Sequence, residues 1–232
     1  MKGSVKARLR AGEVIAVCDP DFPTPRMVEF IGGIGFDAVF IDCEHSSSDF
    51  RLVEELARAA RAADMDSILR PWSNEEGLLN RYLSCGVGGL QLPHVRNAAE
   101  ARLILEGLQR WGDGDFGGKL LVVMIESAEA LQALPELLKI GEIDAFYFGT
   151  NDLAESMGLR GKAQHPTVKT AVEAGIRQVA AAGRAAGINV QNDLEAVIAY
   201  RRLGARWITV HQKVFIRRGA EAFLGGVRAD PP

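Results

Sequence analysis

Two carboxylates stand where apolar runs stop. Glu126 closes LLVVMIES, and Asp152 lies in FYFGTNDL, 26 residues further on. An unpartnered carboxylate is costly to bury at the end of such a run, so Glu126 needs something to hold. A hard divalent cation is one candidate. Mg²⁺ takes oxygen ligands, often only one or two carboxylates, with water and substrate oxygens completing the octahedron, and Mn²⁺ or Co²⁺ can substitute. The alternatives for Glu126 are an ion pair with Arg70 or a cap on the helix that follows. Arg70, in ILRPW, carries a rigid fork of donors that suits a ketone or enolate oxygen, and Pro71 limits its backbone; a structural ion pair would explain it equally. In IDCEHSSSD, Asp42, Glu44 and His45 come together. The His45 imidazole titrates near neutrality and could move a proton, or it is simply bonded to a loop backbone. Gly149, Thr150, Asn151 and Asp152 open a helix after an apolar run. Free N–H groups there suit a substrate carboxylate, unless Asn151 or Asp152 is only an N-cap. His94 and His165 read as structural, while His211 falls at the end of a strand and stays open. The three cysteines, Cys18, Cys43 and Cys85, form no CxxC pair and read as small buried hydrophobes rather than disulfides or zinc ligands. A nucleophilic Cys43 beside His45 is the alternative.

These residues act together only if the chain brings them to one place. Short apolar runs predict strands at 14–18, 38–42, 67–70, 89–92, 120–125, 145–148, 188–190 and 207–210. Between them, stretches rich in Ala, Leu, Glu and Arg have helical spacing, notably 50–63, 98–109, 128–140, 168–186 and 194–203. Gly86, Gly187 and Gly204 follow helical runs as C′ glycines do. Residues 111–119, WGDGDFGGK, read as a glycine-rich loop, and 219–232 carry one short apolar helical patch. Eight alternating units in 232 residues predict a (β/α)8 barrel forming a single domain over 1–232. In such a barrel the carboxyl ends of the strands form the active mouth, and Asp42, Glu44, His45, Arg70, Glu126, Asn151, Asp152 and His211 all follow strands directly.

Composition narrows the class. Hydrophobic residues make up 47% and charged residues 25%, with a net charge of −3. That balance gives no electrostatic reason to expect nucleic acid or an anionic membrane as partner. No apolar stretch of signal length follows the basic residues 1–10, and none approaches a bilayer span. The expected location is the cytoplasm.

Taken in order, IDCEHSSSD, ILRPW, LPHVRNAAEA, MIES and FGTNDLAESMG resemble the HpcH/HpaI aldolase family, a branch of the phosphoenolpyruvate/pyruvate-binding barrels. The resemblance implies a divalent-metal-dependent (class II) aldolase, a carbon–carbon lyase that cleaves a 4-hydroxy-2-oxo acid to pyruvate and an aldehyde through a metal-bound enolate. It implies Glu126 and Asp152 as metal ligands, and Gly149, Thr150 and Asn151 as the turn holding the pyruvate carboxylate. Arg70 would contact the keto oxygen, His45 would do acid–base work, and Glu44 would lie near the metal's water shell, with Asp42 beside it. It also implies a homo-oligomer, usually a hexamer, often with exchanged C-terminal helices. The chain departs from the family at several points. Ser84 stands where an Asp usually supports the histidine, so Asp42 or Asp49 would have to substitute. The Pro-x-Gly-x-Arg-Gly loop before strand 5 is shortened to WGDGDFGGK. Met124 replaces a common Gln, and His211, Gln212 and Lys213 replace a Gly-x-Asp pattern. These departures keep two alternatives open: another C–C or C–P lyase or hydrolase on the same enolate site, and a non-catalytic family barrel.

Overall fold

The computed structural model describes residues 3–111, 118–191 and 193–228. Eight strands close into a barrel in sequence order: β1 (Ile15–Asp19), β2 (Ala38–Asp42), β3 (Asp66–Arg70), β4 (Gly89–Leu92), β5 (Leu120–Ile125), β6 (Ala145–Phe148), β7 (Ala185–Asn189) and β8 (Ala205–His211). Every neighbouring pair is parallel, including the closing pair β1–β8. The helices are α1 (Val5–Arg10), α2 (Pro25–Ile34), α3 (Phe50–Ala62), α4 (Glu76–Ser84), α5 (Ala98–Trp111), α6 (Ala128–Leu137), α7 (Thr150–Ser156), α8 (Pro166–Ala181), α9 (Leu194–Arg202) and α10 (Gln212–Arg228). The expected (β/α)8 barrel is therefore present. The glycine-rich loop expected at 111–119 falls largely on 112–117, outside the described residues. No helix among the described residues is long and apolar enough to cross a membrane.

Side chains alternate across a strand, and here the alternation makes two cores. Ile15, Val17, Ala38, Phe40, Ile68, Leu120, Val122, Met124, Ala145, Tyr147, Ala185 and Trp207 fill the barrel interior. The opposite faces of the strands pack against the helices in a second, larger cluster. Helix α1 closes the amino-terminal end of the barrel: Val5 and Leu9 join the interior cluster. The Val5 N–H donates to Asp66 Oδ2 at 2.6 Å, and Lys6 Nζ lies 3.3 Å from Asp144 Oδ2.

The helix expected at 168–186 ends earlier. Gly183, at φ +72°, terminates α8, and Ala185 already belongs to β7. Gly187 is therefore no helix cap but an interior strand position. A Cβ there would meet Trp207 Cδ1 and Tyr147 Cδ2, both at 2.8 Å. Small residues fill β7 because two large rings need the room. Gly86 and Gly204 do hold the left-handed conformation at helix ends, at φ +86° and +102°. Of the tail expected at 219–232, the part up to Arg228 belongs to α10, and 229–232 lie outside the described residues.

Candidate active site

The inward positions of the strands lead directly to the chemistry. Continuing the alternation two residues past Val17, Phe40, Ile68, Met124 and Tyr147 reaches Asp19, Asp42, Arg70, Glu126 and Gly149. Two steps past Trp207, beyond Thr209, comes His211. Asp19, Asp42, His45, Arg70, His211 and the turn 149–152 line one cavity of about 1440 Å³ at the carboxyl ends of the strands.

Arg70 is fixed from two sides. Its Nε and one terminal nitrogen donate to the two oxygens of Asp42 at 3.0 and 2.7 Å, and the other terminal nitrogen lies 2.8 Å from Glu44 Oε2. Burial alone would raise the Asp42 carboxyl, but the Arg70 hydrogen bonds and charge outweigh it and hold Asp42 below the usual carboxylate range. Asp42 also receives the backbone N–H groups of Glu44 and His45 at 3.0 and 3.3 Å, so one carboxylate shapes both the loop and the guanidinium. The pair is bidentate, the geometry in which Arg differs most from Lys.

Glu126 is buried, with 5% of its surface exposed, and neither simple explanation for it holds. Arg70 pairs with Asp42 and Glu44 instead. The cap of α6 is Ser127, whose side chain accepts from the Ala130 N–H at 3.0 Å. Glu126 Oε1 accepts the backbone N–H of His94 at 2.5 Å. Its Oε2 is buried with no hydrogen-bond partner. Burial pushes the Glu126 carboxyl above the usual range. The nearby charges of Asp152 and Glu44 act the same way, against the His94 N–H and ring. Gly149 packs on this carboxylate so closely that a Cβ there would sit 3.0 Å from Glu126 Cβ and 3.2 Å from Oε2. An orphaned buried oxygen beside a second acidic residue is what a cation site requires, so these residues fit a divalent metal.

The turn 149–152 opens α7 with Gly149 at the N-cap and no side-chain cap bond. Asn151 and Asp152 are thus first-turn residues rather than caps, and both are exposed. His45 stands on the cavity wall with 66% of its side chain exposed, and its Nε2 is 3.8 Å from Glu44 Oε2. The expected substitutes for the missing dyad carboxylate are engaged elsewhere. Asp49 caps α3 through the Leu52 N–H, Asp42 holds Arg70, and Ser84 donates to the Asn80 carbonyl. Cys43 is buried, and burial pushes its thiol up to about 11. That removes the thiolate a nucleophile needs at neutral pH. His165 caps α8 through the Thr167 N–H.

Two groups were missed from the sequence. His94, read as structural, has φ +58° and bridges the acidic residues: its Nε2 is 2.6 Å from Glu44 Oε1 and its Nδ1 3.1 Å from Glu126 Oε1. Its position after β4 in LPHV was the available signal, but the intervening Pro93 hid it. Across the mouth, Asp19, Asp21 and His211 bring potential ligand atoms within 4.8 Å of one another. This trio can offer three ligands to one cation. Lys213 Nζ lies 2.7 Å from Asp21 Oδ1, so an ammonium already offsets part of the trio's negative charge. The Asp19 hydrogen bond is the main cause of a raised His211 pKa; burial opposes it, and the Asp19 and Asp21 charges add to it.

Residues 22–215 match the profile of a family described as HpcH/HpaI aldolase/citrate lyase. The chain is 30% identical over 246 aligned residues to the 4-hydroxy-2-oxo-heptane-1,7-dioate aldolase of Shigella sonnei, covering 96% of this chain and 94% of that protein. The Klebsiella pneumoniae protein of the same name is 31% identical over 218 residues, covering 84% and 82%. Among solved structures, an HpcH/HpaI aldolase/citrate lyase family protein from Burkholderia cenocepacia superposes with a TM-score of 0.86 at 25% identity, covering 97% of this chain and 99% of that one. With the barrel, the order of the strand-end residues and these matches in agreement, the chain belongs to the HpcH/HpaI aldolase/citrate lyase family.

Proposed function

We propose that this protein is a class II aldolase, a carbon–carbon lyase that cleaves a 4-hydroxy-2-oxo acid to pyruvate and an aldehyde with the help of a divalent cation at Glu126 and Asp152. The observation that carries the reading is the buried, unpartnered Glu126 Oε2 at the base of the barrel mouth. A cation held there would supply Lewis-acid stabilisation of the charge that develops on the ketone oxygen. The protein's own groups do the rest. Arg70, locked by Asp42 and Glu44, presents a preoriented guanidinium to that oxygen. The backbone N–H groups of Thr150 and Asn151, at a helix start with no side-chain cap, bind the carboxylate of the 2-oxo acid, while Gly149, whose N–H donates to the Ile125 carbonyl at 3.2 Å, lets the substrate approach closely. His45, exposed on the cavity wall, takes the C4 hydroxyl proton. Its distance from any orienting carboxylate favours a second reading, cleavage of a different C–C or C–P bond on the same site.

The test combines two reactions that need only the enolate half of the site: exchange of the pyruvate methyl protons and decarboxylation of oxaloacetate, each with Mg²⁺, Mn²⁺ or Co²⁺. Both are expected to fall by about 10³-fold in Glu126→Gln, the scale of losing a principal electrostatic contact. Persistence of both at wild-type rates sinks the proposal. A panel beginning with 4-hydroxy-2-oxo-heptane-1,7-dioate, the compound in the relatives' names, then separates the aldolase from the second reading. We also propose a single barrel domain over 1–232 acting as a homo-oligomer. The three free cysteines fit a reducing compartment, and we place the enzyme in the cytoplasm.

A further inference from the structure

The carboxyl ends of β1 and β8 hold an imidazole that the proposed chemistry leaves unused. Asp19 and His211 are register partners on neighbouring strands, and both line the cavity that holds Arg70 and the 149–152 turn. His211 Nδ1 lies 3.0 Å from Asp21 Oδ1 and 3.2 Å from Asp19 Oδ2. Burial alone would raise the Asp21 carboxyl, but the Lys213 hydrogen bonds and the charges of His211 and Lys213 outweigh it and keep it below the usual range. Asp21 is therefore an acceptor, and Nδ1 carries a proton. Nε2 is left as the working nitrogen: among the described residues it has no hydrogen bond or ion pair. An imidazole oriented by carboxylates, with one nitrogen free in a cavity, is the arrangement of an acid–base catalyst. His45 has weaker support, with 66% of its side chain exposed against 24% for His211. The direction of the substrate brings it to this side of the mouth. Arg70 on β3, Glu126 after β5 and the turn after β6 take C1 and C2, so the rest of the chain extends toward β7, β8, β1 and β2. Tyr147 lies between the two halves. Its phenol, pushed up to about 12 by burial, feels the charges of both Arg70 and Asp19, so both act on one cavity-lining ring.

We propose that His211, oriented by Asp19 and Asp21, is a second catalytic residue: its Nε2 carries a proton to and from C3 of the pyruvate enolate, while His45 serves the C4 hydroxyl. When the C3–C4 bond breaks, its electron pair enters the enolate and the C4 hydroxyl proton passes to His45. The enolate then takes a proton at C3 from the His211 imidazolium, whose N–H electron pair stays on Nε2. Solvent re-protonates His211 and accepts the proton held by His45, so the protons balance. Asp19 on β1, Asp21 after it and Lys213 on α10 are the charged groups facing the ring. The Asp19 hydrogen bond, with the charges of Asp19 and Asp21, outweighs burial and Lys213 and favours the charged imidazole that an enolate needs as its acid. The inference rests on the aldolase reading above.

The experiment uses the full chain with Mn²⁺ and compares two rates: exchange of the pyruvate methyl protons with D₂O, followed by NMR, and CO₂ release from oxaloacetate. Both pass through the enolate, but CO₂ leaves before any proton reaches C3. The ratio of exchange to CO₂ release therefore isolates the C3 proton. In His211→Gln this ratio is expected to fall by about 10²-fold, the lower range for a positioned acid or base; a merely structural role would lower both rates together. Asp19→Asn keeps the imidazole and supplies a second test should circular dichroism show the first variant unfolded. Methyl exchange needs neutral His211, so in the wild type it is expected to rise with pH through a value above the ordinary imidazole value near 6.5. In Asp19→Asn the rise is expected at lower pH. A wild-type ratio in folded His211→Gln, an equal fall of both rates, or a pH rise unmoved in Asp19→Asn each overturns the assignment. If the wild type catalyses neither reaction, the aldolase reading fails and the role of His211 with it. If both reactions run and the ratio survives in His211→Gln, only the role of His211 fails.

Discussion

Arg70 shows how much of this mouth depends on direction rather than charge. Three of its N–H groups are committed to Asp42 and Glu44, which leaves the guanidinium no freedom to follow a misplaced substrate. Lys at this position would keep the charge and lose the fork. Arg70→Lys is therefore expected to lower kcat/KM for aldol cleavage by about 10²-fold, while binding a divalent cation as the wild type does; near-normal turnover would show that Arg70 faces no developing charge. Glu126 makes a complementary prediction about stability. Its buried carboxylate is crowded by Asp152 and Glu44, so Glu126→Gln relieves an uncompensated charge. Without cation the variant is expected to melt at or above the wild-type temperature. With saturating Mn²⁺ the wild type should gain about 2.7 kcal/mol at a hundredfold excess over Kd, and the variant nothing. A Mn²⁺-induced rise in Tm that survives in the variant would place the ion elsewhere.

At the scale of elements, the β1–β8 seam closes the barrel, and its carboxyl end is tied by charge. His211 Nδ1 lies 3.2 Å from Asp19 Oδ2 and 3.0 Å from Asp21 Oδ1, and Lys213 joins through both its ammonium and its N–H. Asp19, Asp21 and Lys213 are the charged groups facing the imidazole, and their net effect raises its pKa. A histidine whose pKa is higher folded than unfolded stabilises fully below the unfolded value near 6.5, and the gain is lost as pH rises through the folded value. The Tm advantage of wild type over His211→Gln is thus expected to be largest near pH 6 and to shrink steadily toward pH 9. A pH-independent gap would mean the imidazole is neutral throughout.

The same elements show what the sequence made legible. Asp42 and Glu126 could be read because each is the first polar residue after an unbroken apolar run, and Arg70 because it ends β3 after Ile68 and Leu69 and just before Pro71; alternation aims all three inward. Asp19 escaped because Asp19-Pro20 looks like the start of a turn, although the backbone is still paired with β8 at His211. His94 escaped because a positive φ after Pro93 leaves no periodic trace. The α8–β7 boundary was misplaced because alanine serves a helix and a crowded barrel interior equally well. Only Trp207 and Tyr147, distant in sequence, dictate that β7 be small.

The molecule as a whole presents a face that the barrel does not cover. Helix α10 has no buried residue along its 17 positions. Phe215, Phe223 and Val227 fall on one row of the helix, with Ile216 and Leu224 beside it, all exposed. An exposed apolar stripe of this kind normally packs against a partner. We propose that this stripe carries the self-assembly through C-terminal helices that the family resemblance implies. The protein is therefore expected to run in light scattering as a multiple of its 25.1 kDa chain mass. Phe223→Glu combined with Val227→Glu should shift it to smaller species without unfolding the barrel, because neither side chain touches the core. Activity measured on the dissociated form then tells whether the mouth is complete within one chain. A wild-type protein that stays monomeric at micromolar concentration would show that α10 serves some contact other than self-assembly.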